Sequence, residues 1–274
     1  MSQANTIDLI INADDYGYFP CVSQGIIEAA QSGSLTATGI LANSADLNTQ
    51  FNALRCVENI DLGVHLNLTL GKPLTKQMTD QLSASAGQFP SAYVISGLLL
   101  SRKLRLETVK REWSAQIEAC QSQALVFLNS HEHIHMFPPL FPLTLELARL
   151  HNIKHVRLTQ ADWLKPFTPA SLLRNTLMQG MCTLNQFRLK NPPPIFLGLS
   201  CSGKLTYEYL AHRLSTLKPG QRYELMCHPG HFDVTQITDP KLLCYHDWTA
   251  ELALLQSPKV HDLYQQYHIR LIRY

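Results

Sequence analysis

The 274-residue chain reads as an α/β protein, an irregular (β/α) barrel with seven or eight mainly parallel strands. Three observations predict it. Short apolar, β-branched runs alternate with helix-like segments along the whole length, as parallel strands joined by helical crossovers require. No repeat, low-complexity tract or linker-like shift in composition divides the chain, so residues 1–274 are expected to form a single domain. The polar residues capable of chemistry gather where the strand-like runs end, which is where a barrel builds its site. An open doubly wound sheet is the alternative, but the GxGxxG that commonly follows its first strand is missing.

Residues 7–11 form an apolar run that stops at Asn12-Ala13-Asp14-Asp15, a buried strand meeting polar residues at its end. Residues 22–31 place Val22, Ile26, Ile27 and Ala30 at helical spacing, with Gly33 as the stop. Residues 36–42 are β-branched and apolar and end at Asn43, and a helix is expected over 45–57. From 62 to 68, leucine and valine alternate with Gly63, His65 and Asn67, a third strand carrying a histidine on its polar face. Residues 71–88, with Pro73 and Gly87, read as an excursion over one end of the barrel. Leu106, Val109, Trp113, Ile117 and Cys120 then mark a helix by one apolar face.

The fourth strand, 124–128, runs straight into NSHEHIHMFP at 129–138. Extended geometry there would send His131, His133 and His135 to one side. Pro138 and Pro139 then open a helix that runs through Arg149. Residues 154–158 are a fifth strand bearing Arg157. Leu172, Leu173, Leu177 and Met181 predict a helix within 162–190, followed by a sixth strand at 195–199 and a helix at 207–217. The seventh strand, 223–227, leads into His228-Pro229-Gly230-His231. A helix over 247–255 and a closing strand at 268–272 complete the pattern.

Composition narrows the function classes. With 45% hydrophobic and 16% charged residues a large core is available. A net charge of +2 without any Lys/Arg block argues against nucleic acid as a partner. The seven cysteines are odd in number and form no CxxC, so neither a disulfide frame nor a thiolate zinc site is expected. The first residues lack the basic region of a signal peptide, and no window approaches the roughly 20 apolar residues of a membrane span. A cytoplasmic protein without a membrane partner is the expectation. No GxSxG elbow supports a serine nucleophile.

In a barrel, Asp14, Asp15, Asn43, His65, the histidines at 131–135, Arg157 and His228 would converge on one face. One carboxylate with two imidazoles makes a three-ligand set that leaves positions open on a catalytic divalent cation. A second, adjacent carboxylate could then take a proton from water. Each residue also has a plainer role: the aspartates can cap a turn, His65 can sit satisfied in a core, and His228 can serve a turn. Cys227 reads as core.

Four stretches together, INADDYG at 11–17, LGVHLNLTLGKPL at 62–74, NSHEHIHMFP at 129–138 and ELMCHPG at 224–230, resemble the YdjC-like family of carbohydrate deacetylases. That family includes chitooligosaccharide and hopanoid-associated deacetylases. The resemblance implies a barrel related to polysaccharide deacetylases, often homodimeric, with one divalent metal cation (Mg2+ or Zn2+) per chain. It implies removal of an acetyl group from an N-acetylated sugar of the N-acetylglucosamine type. By position, Asp15, His65 and His131 are its implied metal ligands, Asp14 its base and His228 its acid. Asn43, Arg157 and His133 are expected to meet the substrate. Ligand softness favours zinc, cobalt or manganese over magnesium. Asn129 departs from the family, whose members often carry Asp there, and an amide is expected to make a ligand imidazole less basic. The rival readings are another metal-dependent amide or ester hydrolase on the same barrel, and a non-catalytic metal- or sugar-binding relative.

Overall fold

A computed structural model of the chain describes residues 6–164 and 168–274. The described residues form eight strands: β1 (Ile7–Tyr16), β2 (Ala37–Ile40), β3 (Asp61–Leu66), β4 (Leu125–Ser130), β5 (His155–Val156), β6 (Ile195–Leu197), β7 (Arg222–Cys227) and β8 (Ile269–Leu271). Each coincides with a run expected from the sequence. All pair in parallel in the order β5-β4-β3-β2-β1-β7-β6, and β8 pairs with β1. β8 takes the lower end of the edge that β1 shares with β2: Ile272 N–H donates to Leu9 O, while Thr36 N–H donates to Ile11 O.

The sheet curls. Arg157 follows β5, four strands from β1, yet its guanidinium reaches Asp14 on β1 at 2.6 and 2.8 Å and Glu224 on β7 at 2.6 Å. Four flat inter-strand steps would span about 19 Å, far beyond an arginine side chain. No pairing joins β5 to β6 among the described residues, so the barrel is irregular, with one open seam.

Alternation along β1 sorts the interior from the outer shell. Leu9, Ile11 and Ala13 pack outward in the main core with Val22, Ile26 and Ala29 of α1 (Pro20–Gln31). Ile10 faces inward, where it meets Ala37 and Phe127, with Tyr274 stacked on Phe127 at 4.6 Å. This apolar layer closes the bottom of the barrel, as stacked side-chain layers do in such folds. Polar layers stand above it.

The crossovers are α2 (Leu47–Leu54), α3 (Lys76–Gln81), α4 (Ala92–Leu100), α5 (Leu106–Ala119), α6 (Leu140–Leu150), α7 (Pro169–Gln186) and α8 (Tyr207–Leu214). After β7 come α9 (Pro240–Tyr245), α10 (Trp248–Leu255) and α11 (Pro258–Gln266). Proline at the first turn of α1, α7, α9 and α11 lacks only an N–H that would have no partner there. α5 buries Val109, Trp113 and Ile117 as its spacing predicts. The excursion at 71–88 contains α3 and is tied down by buried Glu112, whose two carboxylate oxygens accept from Leu74 N–H and Thr75 N–H at 2.9 Å each.

Sequence periodicity missed α4, α9 and α11. α4 is apolar on every side and so has no helical rhythm, and α9 is only six residues long. In α7 the helix is where the sequence placed it, but its face is reversed. Leu172, Leu173 and Leu177 point to solvent, while Asn175, Met178, Cys182 and Asn185 are buried.

Candidate active site

The site begins with a fault in β1. Strict alternation would send Asp14 inward and Asp15 outward. Instead the pairing of β1 with β2 slips between Ala13 and Tyr16, and Asp15 takes a left-handed φ of 70°. A bulge of this kind re-aims a side chain, and Asp is among the residues that tolerate the conformation best. Both carboxylates therefore open into one cavity of about 610 Å³. Opposite them, the β3–β4 register sets His65 beside Asn129. Gly39 on β2 makes the room: a Cβ there would stand 2.9 Å from Asn129 Oδ1 and 3.2 Å from His65 Cβ.

Asp15 Oδ1 lies 3.2 Å from His65 Nε2 and 3.8 Å from His131 Nε2. It is buried and has no hydrogen-bond partner. The far nitrogens of both rings are engaged. His65 Nδ1 meets Asn129 Oδ1 at 2.8 Å, and His131 Nδ1 meets Thr69 Oγ1 at 2.8 Å. Asn129 Nδ2 donates to Asp14 Oδ1 at 2.9 Å, which settles the amide's orientation and makes His65 Nδ1 the donor. His65 Nε2 is left with its lone pair directed at the cavity. Burial pushes the Asp15 carboxyl up, but His131 and His65 outweigh it and hold the group ionised, well below the usual carboxylate range. Burial lowers His131, whereas in His65 the two aspartates overcome burial and raise it.

This donor chemistry suits a divalent cation. Two ligands each about 2.1 Å from one ion stand roughly 3.0–3.5 Å apart, which the Asp15–His65 spacing meets and the Asp15–His131 spacing exceeds by a few tenths of an ångström. Among the described residues no group of three or more His, Cys, Asp and Glu side chains already stands as a formed metal centre. The fit rests on the donor types and on the partnerless oxygen of Asp15.

Asp14 is the opposite case. Its Oδ2 accepts from Arg157 Nη1 at 2.6 Å, and its Oδ1 accepts from Arg157 Nη2 at 2.8 Å as well as from Asn129. Burial would raise its pKa, but the Arg157 guanidinium and then His65 lower it to about 2. Arg157 is fully buried beneath Asp14 and also donates through Nε to Glu224 at 2.6 Å. Asn12 donates to Glu224 at 3.3 Å and to the Tyr274 hydroxyl at 2.9 Å. Arg157 does not line the cavity, so the expectation that it meets substrate is corrected: it grips Asp14 from below.

Asn43 also belongs elsewhere. Its amide donates to Leu70 O at 2.8 Å and accepts from Asn67 at 2.8 Å, fastening the loop after β3, and it does not line the cavity. The three histidines of 131–135 do not share a face. Residues 131–136 make two tight turns joined by a kink at Glu132 and His133, both left-handed at φ 52° and 54°, and not an extended run. His131 and His133 reach the cavity, while His135 turns into the core. There Ser130 Oγ holds its Nδ1 at 2.6 Å, and its Nε2 donates to Arg157 O at 3.0 Å.

His228 enters from the end of β7. Its Nδ1 accepts Gly203 N–H at 3.3 Å, so in the neutral ring the proton sits on Nε2. Its backbone N–H is held by buried Glu251 at 2.6 Å. The turn that carries it packs on α1, where a Cβ on Gly25 would come within 2.5 Å of Gly230 Cα. His246, stacked on Trp248 at 4.6 Å, meets His228 edge-on at 5.1 Å.

The sequence profile of the YdjC-like protein family matches residues 8–266. The chain belongs to the YdjC-like family. A carbohydrate deacetylase of Geobacillus stearothermophilus is 28% identical over 267 residues, covering 97% of this chain and 96% of that protein. A chitooligosaccharide deacetylase of Yersinia pestis (strain Pestoides F) is 28% identical over 269 residues, 96% of each. A carbohydrate deacetylase of Halalkalibacterium halodurans is 34% identical over 149 residues, 53% of this chain and 61% of that protein. That last match spans less than two thirds of the relative. A solved structure from Enterococcus faecalis V583, described as a cellobiose-phosphate cleavage protein, superposes with a TM-score of 0.75 at 26% identity and 98% coverage of both chains.

The walls of the cavity in this YdjC-like chain come partly from α4 and α9, which the sequence did not point to, and partly from the unexpected face of α7. Tyr93 of α4, Arg174 and Met178 of α7, and Lys241 and Tyr245 of α9 all line it. The 162–190 stretch contributes Arg174 and Met178, while the excursion at 71–88 contributes no lining residue. Asp162 anchors the α7 side: its carboxylate accepts from Tyr209 Oη at 2.6 Å, Ser200 Oγ at 2.9 Å and Arg213, and its carbonyl accepts from Asn175 Nδ2 at 2.8 Å. Arg174 Nε is buried without a partner. Helical spacing placed α7 but not its face, and gave no signal for α4 or α9.

Proposed function

We propose that this protein is a metal-dependent carbohydrate N-deacetylase that removes acetate from an N-acetylated sugar. The observation that carries the reading is the partnerless Asp15 oxygen facing two imidazole nitrogens, next to a carboxylate of the opposite character. Asp15, His65 and His131 would hold a divalent cation, which supplies a Lewis acid that polarises the acetyl carbonyl and acidifies the attacking water. Asp14, kept ionised by Arg157, accepts the proton of that water. As the C–N bond breaks, the nitrogen that leaves as the amine would take the Nε2 proton of His228, and the proton gained by Asp14 would restore it, so that acetate and amine depart and both side chains return to their starting states. Proton transfer by a placed side chain is worth roughly 10² to 10⁴ in rate. The carbohydrate and chitooligosaccharide deacetylases among its relatives favour this substrate class.

Aromatic groups at the cavity wall, Tyr18, Tyr93 and Tyr245, suit the apolar faces of sugar rings. Arg174 and Lys241 add cations that would receive an anionic substituent such as a sugar phosphate, in line with the description of the Enterococcus protein. The test is acetate release from N-acetylglucosamine oligomers, with and without a phosphate, beside formyl and phosphoryl substrates. Turnover of the acetylated sugars, lost in Asp14→Asn while cation binding persists, is the expected result. Turnover of only the formyl or phosphoryl substrates would overturn it.

A further inference from the structure

We propose that the rim of the cavity docks on an anionic lipid surface through α4 and α7. Both helices wall the cavity, through Tyr93 on one and Arg174 and Met178 on the other. Both turn apolar side chains to solvent. On α4, Tyr93 is 84% exposed and Leu100 71%, with Val94 exposed between them, and the helix AYVISGLLL contains no charged residue. A surface helix ordinarily sets polar residues against water. On α7, Leu173, Leu177 and Leu184 follow one helical face to Phe187, which is 81% exposed. Exposed clusters of this kind mark a surface that another phase or molecule covers.

The charges choose the occupant. α4 is followed by exposed Arg102, Lys103 and Arg105, and α7 by exposed Arg188 and Lys190. No Asp or Glu occurs between Asp80 and Glu107, nor between Asp162 and Glu208. A second copy docked through these two helices would therefore set cations against cations, since the exposed carboxylates that line the cavity, Glu132 and Asp239, belong to other segments. An anionic bilayer supplies both complements: acyl chains at the headgroup boundary for Leu, Phe and Tyr, and phosphates for Arg and Lys. The helices would lie on the surface, since none of the described helices is long and apolar enough to cross a membrane. The expectation of no membrane partner rested on the lack of a spanning segment, and peripheral docking is a separate matter.

The inference is independent of the deacetylase reading, because vesicle binding needs no turnover. The experiment is co-sedimentation with vesicles of phosphatidylcholine alone and of phosphatidylcholine with about 30% phosphatidylglycerol, at low and high salt. The wild-type chain is expected to favour the anionic vesicles about tenfold or more, with the preference reduced by salt. The pair Leu177→Glu with Leu184→Glu and the pair Arg188→Glu with Lys190→Glu should each lower binding about tenfold. All four positions are exposed, and a thermal melt checks that the fold is kept. Equal binding to both vesicle types overturns the proposal. So does a dimer in sedimentation equilibrium that Leu177→Glu with Leu184→Glu dissociates, which would assign the face to a second copy.

Discussion

Beneath Asp14 every charged group of the barrel interior has a protein partner, though the Asn12 amide oxygen has none, whereas one residue further along β1 Asp15 faces two imidazoles and keeps a carboxylate oxygen with none. In the lower region the protein itself supplies the counter-charge, as Arg157 lies between Asp14 and Glu224. In the upper region the imidazoles of His65 and His131 offset the Asp15 charge, yet its Oδ1 keeps no hydrogen bond and stays open to a ligand. A buried ion pair and a site awaiting a cation can thus be told apart by whether charged atoms have protein partners, even when both are equally hidden from water. The lower set should govern folding, and the upper set should govern ligand affinity.

The sharpest way to break this contrast is Arg157→Met. It strands two buried carboxylates and is expected to cost about 3–5 kcal/mol, read as a lower urea midpoint. An unchanged midpoint would mean that the lower set is not held by charge.

Acid should reach the sealed region next. His135 has both ring nitrogens matched by protein, and burial lowers its pKa to about 3. The unfolded chain takes up that proton near the ordinary value of 6.5, so it binds more protons between the two values. Stability is therefore complete above about pH 6.5 and falls as the pH drops towards 3, by about 1.4 kcal/mol per pH unit for this imidazole. His65, raised by its aspartates, works in the opposite direction and reduces the total slope. Urea titrations from pH 7 to 4 should show the fall starting in the histidine range, and His135→Asn should lower the slope by one imidazole's share, with His131, His133 and His246 keeping theirs. A slope that the variant leaves intact removes His135 from the account.

A third test addresses the upper region. Asp15→Asn removes a carboxylate that His131 and His65 hold ionised, so in chelator the protein should lose about 1 kcal/mol, less than Arg157→Met loses. Calorimetric titration with zinc, cobalt and manganese should lose more than about 100-fold in affinity, beyond the effect of removing an outer partner. A loss of stability as large as that of Arg157→Met, with intact cation affinity, would reverse the two regions' roles. The smallest effect is expected from Tyr274→Phe, which takes one hydroxyl from the Asn12–Glu224 layer and should cost about 1 kcal/mol in thermal unfolding. No change at all would show that the layer is closed without it.

Much of this was legible in the chain. The strands, their parallel pairing and the gathering of Asp14, Asp15, His65, His131 and His228 at one end follow from patterns within a few residues of each position, because pleat and helix periods are local. The inward turn of Asp15 was not legible, since alternation assigns it to the other face and only the slipped register against β2 rotates it. His135 was misread for the same reason: two tight turns replaced the extended run on which its direction depended. Arg157 and Asn43 were placed correctly along the chain but not in space, because the partner that claims a buried polar group is whichever one the curled sheet brings within reach.

The sequence by itself determined the barrel, the family and the residue types available for catalysis. Tertiary structure alone decided which carboxylate is saturated and which is left open. It also decided which side of α7 meets water. Register, closure of the sheet and competition among distant donors settle those points, and none of them has a signature within a single segment of chain.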